Sequence, residues 1–248
     1  MYAHSAPVIF FLSLYMIQIP DYSALSPAAA VALQMQMREK INLQPFNGSI
    51  KLIGGAEISF NKFDNNVRVA IAVLSFPDFK TVGTSLAVEK GTFPFISGLV
   101  SFRQLPALIR AWNQLDVKPD VVILHGQGIA HKYRTGIAVH FGLITGAPAI
   151  GCAHSNLTGH FKEPENKQFA TSPLTDASEQ IGVVFRAQIN CKPLFVSPGN
   201  KITLSQSVEI IKQCIREHCT PEPMRIANEV LKNKKIKKNN STDQPTLF

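Results

Sequence analysis

The sequence predicts an α/β protein with a mixed central sheet, in which three antiparallel strands are followed by alternating helices and strands. Residues 51–89 divide into consecutive β-type runs joined by short polar connections, the mark of an antiparallel meander. Beyond residue 100, apolar residues at helical spacing alternate with short, continuously apolar runs, as buried sheet strands covered by helices require. A chain of 248 residues with 45% hydrophobic content is also long enough for one large domain and is neither disordered nor fibrous in composition.

Taken in order, Ser26-Pro27 supplies a capping hydroxyl followed by proline at the first helical position, and residues 28–41 carry the helix. The period then changes to two: residues 51–60, 66–76 and 79–89 read as strands, linked by residues 61–65 and by Pro77-Asp78. After the loop Phe93-Pro94-Phe95-Ile96-Ser97-Gly98 a helix spans 101–115, and residues 120–125, ending Val-Val-Ile-Leu-His, are a buried strand. A helix over about 134–145 and a strand at 149–153 follow. Residues 154–180 read as a polar loop, 181–189 and 193–197 as strands, 204–217 as a helix, and a last helix begins near Met224. This plan resembles the ribonuclease H-like fold.

The formal charge of +8 suggests a nucleic-acid partner less strongly than it first does, because five of the lysines lie in the single run at 232–238. The domain is therefore expected over residues 16–231, followed at 232–248 by a basic, disordered tail. Residues 6–17 are apolar for about the length of a signal-peptide core, but no Lys or Arg precedes them and the run is too short for a bilayer. Residues 1–15 read as an extension or a misassigned start. Cys152, Cys191, Cys214 and Cys219 show neither paired zinc spacing nor the density of a disulfide scaffold, which predicts reduced thiols and a cytoplasmic setting.

His125 is the residue that asks for a function. It ends a buried strand and opens Gly126-Gln127-Gly128, and in open α/β sheets the carboxyl ends of central strands are where ligand crevices form. On residue type alone, Glu57 reads as a charge on a solvated strand face and Gln104 as a helix-surface amide. His131, His140, His154 and His160 read as loop or core histidines, and Phe93 and Phe95 around Pro94 as a hydrophobic loop anchor. A cluster of Glu57, His125 and His131 around a softer metal is the alternative, without paired ligand spacing behind it.

Several stretches converge on one family. Gly54-Gly55-Ala56-Glu57-Ile58-Ser59-Phe60, the run from Thr92 to Gln104, His125-Gly126-Gln127-Gly128-Ile129-Ala130-His131, Gly151-Cys152-Ala153-His154, Pro193 to Gly199 and Pro221-Glu222-Pro223-Met224-Arg225 stand in the order of its motif blocks. Over roughly residues 20–230 the chain resembles endonuclease V. The resemblance implies a ribonuclease H-like fold and a monomeric, cytoplasmic DNA-repair nuclease with no membrane partner. Such enzymes use Mg²⁺ to nick a strand at the second phosphodiester bond 3′ to deoxyinosine, in DNA or, for some members, in RNA or single strands.

Carried over residue by residue, the family's catalytic positions fall on Glu57, Gln104, His125 and Asn228, with Glu57 and His125 at its Mg²⁺ positions. Its substrate contacts fall on Pro94, Phe95, Ile96, Gly98, Gly126, Gln127, Gly128 and His154, and a further basic position on His160. The chain departs from the pattern at each chemical position. Glu57 stands for an aspartate and is one methylene longer, Gln104 stands for a glutamate, His125 for an aspartate and His154 for a lysine. Mg²⁺ takes hard oxygen ligands, and imidazole suits zinc, copper or nickel better. The wedge, Pro-Tyr-Ile-Pro in the family, is Pro94-Phe95-Ile96-Ser97, with the aromatic face kept. The sequence thus predicts a family member whose cleavage is lost or strongly impaired, with a non-catalytic inosine-binding or interaction protein as the alternative.

Overall fold

Ser26 starts the first helix as the sequence predicts, its side chain accepting a hydrogen bond from the Ala29 amide at 3.2 Å. The structure is a computed structural model that describes residues 16–60 and 65–239. In chain order the elements are α1 (Pro27–Arg38), β1 (Leu52–Phe60), β2 (Asn66–Ser75), β3 (Thr81–Lys90), α2 (Val100–Asn113), β4 (Val121–His125), α3 (Ile137–Thr145), β5 (Ala149–Ala153), β6 (Thr171–Asp176), β7 (Glu179–Phe185), β8 (Leu194–Asn200), α4 (Leu204–Gln213) and α5 (Glu222–Asn239). The strands form one sheet in the order β3-β2-β1-β4-β5-β8-β7-β6. β1, β2 and β3 are antiparallel, β4 and β5 run parallel to β1, and β8, β7 and β6 return antiparallel.

The sheet is buried on both faces, and this explains the unbroken apolar run of β4. Val122 and Leu124 enter a core shared with Leu105, Leu108, Trp112 and Phe141 of α2 and α3. Val121 and Ile123 enter the opposite core, shared with Ile210 and Ile211 of α4 and Met224 of α5. By the same alternation His125 follows Ile123 onto the α4/α5 face, at the carboxyl end of a central strand. On β1 the start of α5 comes so close to Gly55 that a Cβ there would lie 2.1 Å from the carbonyl carbon of Pro223, so only glycine lets α5 settle across the sheet.

The structure corrects three expectations. β6 lies within the stretch read as a polar loop; it is an edge strand with a proline and mostly half-exposed residues, so it lacks the apolar signal of an interior strand. α5 continues through 232–238 to Asn239, so the basic run is not separated from the domain by a break in secondary structure; residues 240–248 and 1–15 lie outside the described residues. The chain is tied to the domain from Ile17, whose amide and carbonyl both bond the Asn113 side chain, at 3.1 and 2.7 Å. Finally, Cys191 and Cys219 form a disulfide, with Cys152 and Cys214 free and buried. The fold brings the β7–β8 loop beside the α4–α5 connection, a Cα–Cα approach of 5.8 Å that spacing in sequence does not reveal.

The bridge closes a loop across a sequence separation of 28. Its reduction is expected to lower the unfolding free energy by about 2–4 kcal/mol. Thermal melts with and without dithiothreitol measure this, and Cys191→Ser should melt like the reduced protein and ignore the reductant. Among the described residues no helix is long and apolar enough to cross a membrane.

Candidate functional site

Parallel pairing of β1 and β4 matches Ala56 with Leu124, which sets Glu57 and His125 side by side one residue further on. Glu57 is buried at 7% exposure, so the solvated-face reading fails; its Oε2 lies 2.7 Å from Nδ1 of His125. β5 continues the register with His125 opposite Cys152, and His154, two residues on, meets the His125 ring edge to face at 5.0 Å between centroids. Burial acts to lower the His125 pKa, but the hydrogen bond and negative charge of Glu57 outweigh it and hold the imidazole above its ordinary value. For His154 burial and the neighbouring His125 both act downward, and the result is below the ordinary value.

These groups open on a cleft of about 410 Å³. Of the residues the sequence singled out, Phe95, Gly98, Gln104, His125, Gly126, Gln127 and His154 line it. Gln104 is 9% exposed, a buried amide facing the cleft and not a helix-surface one. Phe95, 46% exposed, reaches the cleft from the loop before α2. Gln127 donates to the Ser155 carbonyl at 3.1 Å, which ties the loop after β4 to that after β5.

The other predicted positions do not line the cleft. Glu57 sits behind His125, Pro94 is exposed beside Phe95, and Ile96 packs against Phe93 and Phe102 under the loop. Gly128 is a packing residue: a Cβ would come 2.1 Å from the Pro198 carbonyl oxygen, and its amide donates to Ser197 Oγ at 2.8 Å. Asn228 is half-buried on α5, which packs over β1 and β2 on the Glu57 side of the sheet. His160 pairs through its backbone with Thr175 of β6.

Among the further lining residues, Leu157 escaped the sequence reading, and His131 was read there as a loop or core histidine or as part of a softer-metal cluster. Leu157, 45% exposed, comes from the loop after β5, where nothing in the local pattern marked it. His131 lines the cleft at 4% exposure, its Nδ1 accepting from the Tyr133 amide at 3.2 Å while the ring donates to the Gly98 carbonyl. Arg134 braces this loop from behind through Glu179 at 2.8 Å, Asp176 at 3.0 Å and the His131 carbonyl at 3.0 Å. Six residues after His125 was the available signal for His131.

A family model described as endonuclease V matches residues 35–229. The chain belongs to the endonuclease V family. It is 39% identical over 208 residues to the endonuclease V of Alkalilimnicola ehrlichii, covering 84% of this chain and 92% of that one. The crystal structure of endonuclease V from Streptomyces avermitilis superposes with a TM-score of 0.82 at 26% identity, over 90% of this chain and 99% of the other, and the fold is the ribonuclease H-like fold of the family. Ciona intestinalis endonuclease V, solved with a 24mer DNA containing an inosine followed by a ribo-adenosine, superposes at 0.71 with 25% identity, over 85% and 98% of the two chains.

The Mg²⁺ that the resemblance implies does not fit the side chains present. Of the carboxylate positions carried over from the family, only Glu57 keeps its charge, and one of its oxygens is already bonded to an imidazole. Gln104 contributes an amide and His125 a nitrogen, whereas hydrated magnesium wants anionic oxygens at about 2.0–2.1 Å. Among the described residues no group of three or more His, Cys, Asp or Glu is arranged to hold a metal, which also removes the cluster of Glu57, His125 and His131.

Proposed function

We propose that this endonuclease V family protein binds inosine-bearing strands and does not cleave them. The observation that carries the reading is the 2.7 Å contact between Glu57 and His125, which stands where the family's nuclease chemistry needs an open carboxylate pair. The cleft beside it keeps a wedge ring, glycine backbone and apolar walls from Ile58, Val100, Ile137 and Ala153, which suit a flat extruded base. A relative of known structure binds DNA containing an inosine, which supports the same class of strand here. DNA is the first ligand proposed, with RNA of the same lesion as the second.

Binding and cleavage separate physically. Stacking on an aromatic ring contributes about 1–3 kcal/mol per base and needs no metal. Hydrolysis needs charge stabilisation at the phosphorus and an activated water, which a cation normally supplies. The purified chain is therefore expected to retain a labelled inosine oligonucleotide over its adenosine counterpart and to release no nicked product in Mg²⁺ or Mn²⁺. Phe95→Ala should weaken that retention about tenfold to a hundredfold. Efficient nicking by the unaltered chain would overturn the reading.

A further inference from the structure

Glu57 does more here than remain as the last carboxylate of an inherited set. It is 7% exposed and absent from the cleft wall, whereas His125, joined to it through Nδ1 and Oε2 at 2.7 Å, is on that wall. The imidazole thus stands between the carboxylate and the cleft. With Nδ1 turned inward to Glu57, Nε2 is the polar edge left for the cleft side, on which His154 also stands.

We infer that the His125 imidazole occupies the place of the divalent cation, satisfying Glu57 and meeting the strand itself, so that strand binding by this protein is independent of divalent ions. A cation reaching Glu57 must displace the imidazole and give up a hydrogen bond to an ionised acceptor, with no second carboxylate to complete its shell. The pairing needs no assumption about the charge of His125, since Nδ1–H donates to Glu57 in either protonation state. The inference deepens the proposed function and rests on it for the nature of the strand; the claim about the cation stands on the side chains alone.

Two measurements on the full chain test it. In the first, manganese is titrated into the protein and free Mn²⁺ is followed by electron paramagnetic resonance; no uptake is expected at micromolar ion. Stoichiometric uptake would overturn the inference. In the second, fluorescence anisotropy with an inosine-containing single strand is recorded in EDTA and in millimolar Mg²⁺. The two dissociation constants should agree within about twofold, well under the tenfold step of 1.4 kcal/mol, and loss of binding in EDTA would overturn it. Failure to bind the strand in either buffer would sink the proposed function, while the manganese titration would still decide the claim about the cation. Glu57→Asp with Gln104→Glu and His125→Asp is the positive control: checked for folding by circular dichroism, it should take up Mn²⁺.

Discussion

Glu57→Asp, Gln104→Glu and His125→Asp together are expected to create Mg²⁺-dependent nicking of an inosine-bearing strand, which the proposed function denies to the unaltered chain. The His125 change removes the imidazole that bonds Glu57 and puts an anionic oxygen donor beside it at the end of β4. Shortening position 57 draws its carboxylate back by about an ångström, against a tolerance of roughly 0.5 Å for a working constellation. Gln104 already faces the cleft, so glutamate there adds charge without moving backbone. Each ligand in such a centre supplies several kcal/mol of transition-state stabilisation, and about 1.36 kcal/mol is a factor of ten in rate. The three changes should therefore raise the single-turnover rate by at least about 10³-fold over any residual activity. Ligands act as a unit, so single reversals should do far less than a third of this in free energy. If a folded triple variant is silent, adding Asn228→His tests whether the helix position completes the centre.

Much of this architecture was legible because the meander and the βα units write themselves in periodicity. β4 and β5 are short, apolar and continuous since both faces of the sheet are covered, and their predicted bounds match the observed ones to within a residue. β6 was not legible because its exposed edge imposes no such pattern, and the Cys191–Cys219 bridge was not because it joins loops that only the fold brings together. At the site, sequence located His125 but misjudged the setting of Glu57 and Gln104. A carboxylate in a strand reads as solvated until its partner is known, and that partner lies 68 residues away. Gln104 is buried on the side of α2 that faces the cleft, a tertiary fact with no local signature. Leu157 became visible only with the cleft, for the same reason.

Acid should unfold this protein steeply, and two neutral histidines set the slope. His140 is fully buried, with Tyr22 Oη 2.9 Å from Nε2 and Ser101 Oγ 3.3 Å from Nδ1, and burial pushes its pKa down to about 3 from 6.5. His131 is pushed down to about 4, by burial first and by the charge of Arg134, against the opposing effect of its bond to Gly98. A folded pKa below the unfolded one means that the unfolded chain binds the extra proton. The stability these two groups confer is thus complete above pH 6.5 and drains away as pH falls toward 4. Linkage gives about 1.4 kcal/mol per pH unit for each proton, so urea midpoints between pH 6 and pH 5 should report a loss approaching about 2.7 kcal/mol. His125 has the opposite sign: its raised pKa makes a contribution present below 6.5 and lost as pH climbs through the folded value, so maximal stability is expected near neutrality. His140→Asn, which cannot titrate, should halve the acid slope. Retention of the full slope would place the protonation elsewhere. Protonating His131 also takes away the lone pair that the Tyr133 amide uses, in the loop whose ring holds Gly98 beside the wedge. The same protonation strengthens the ring's bond to the Gly98 carbonyl, which favours the charged form, so strand binding should hold until the domain itself unfolds.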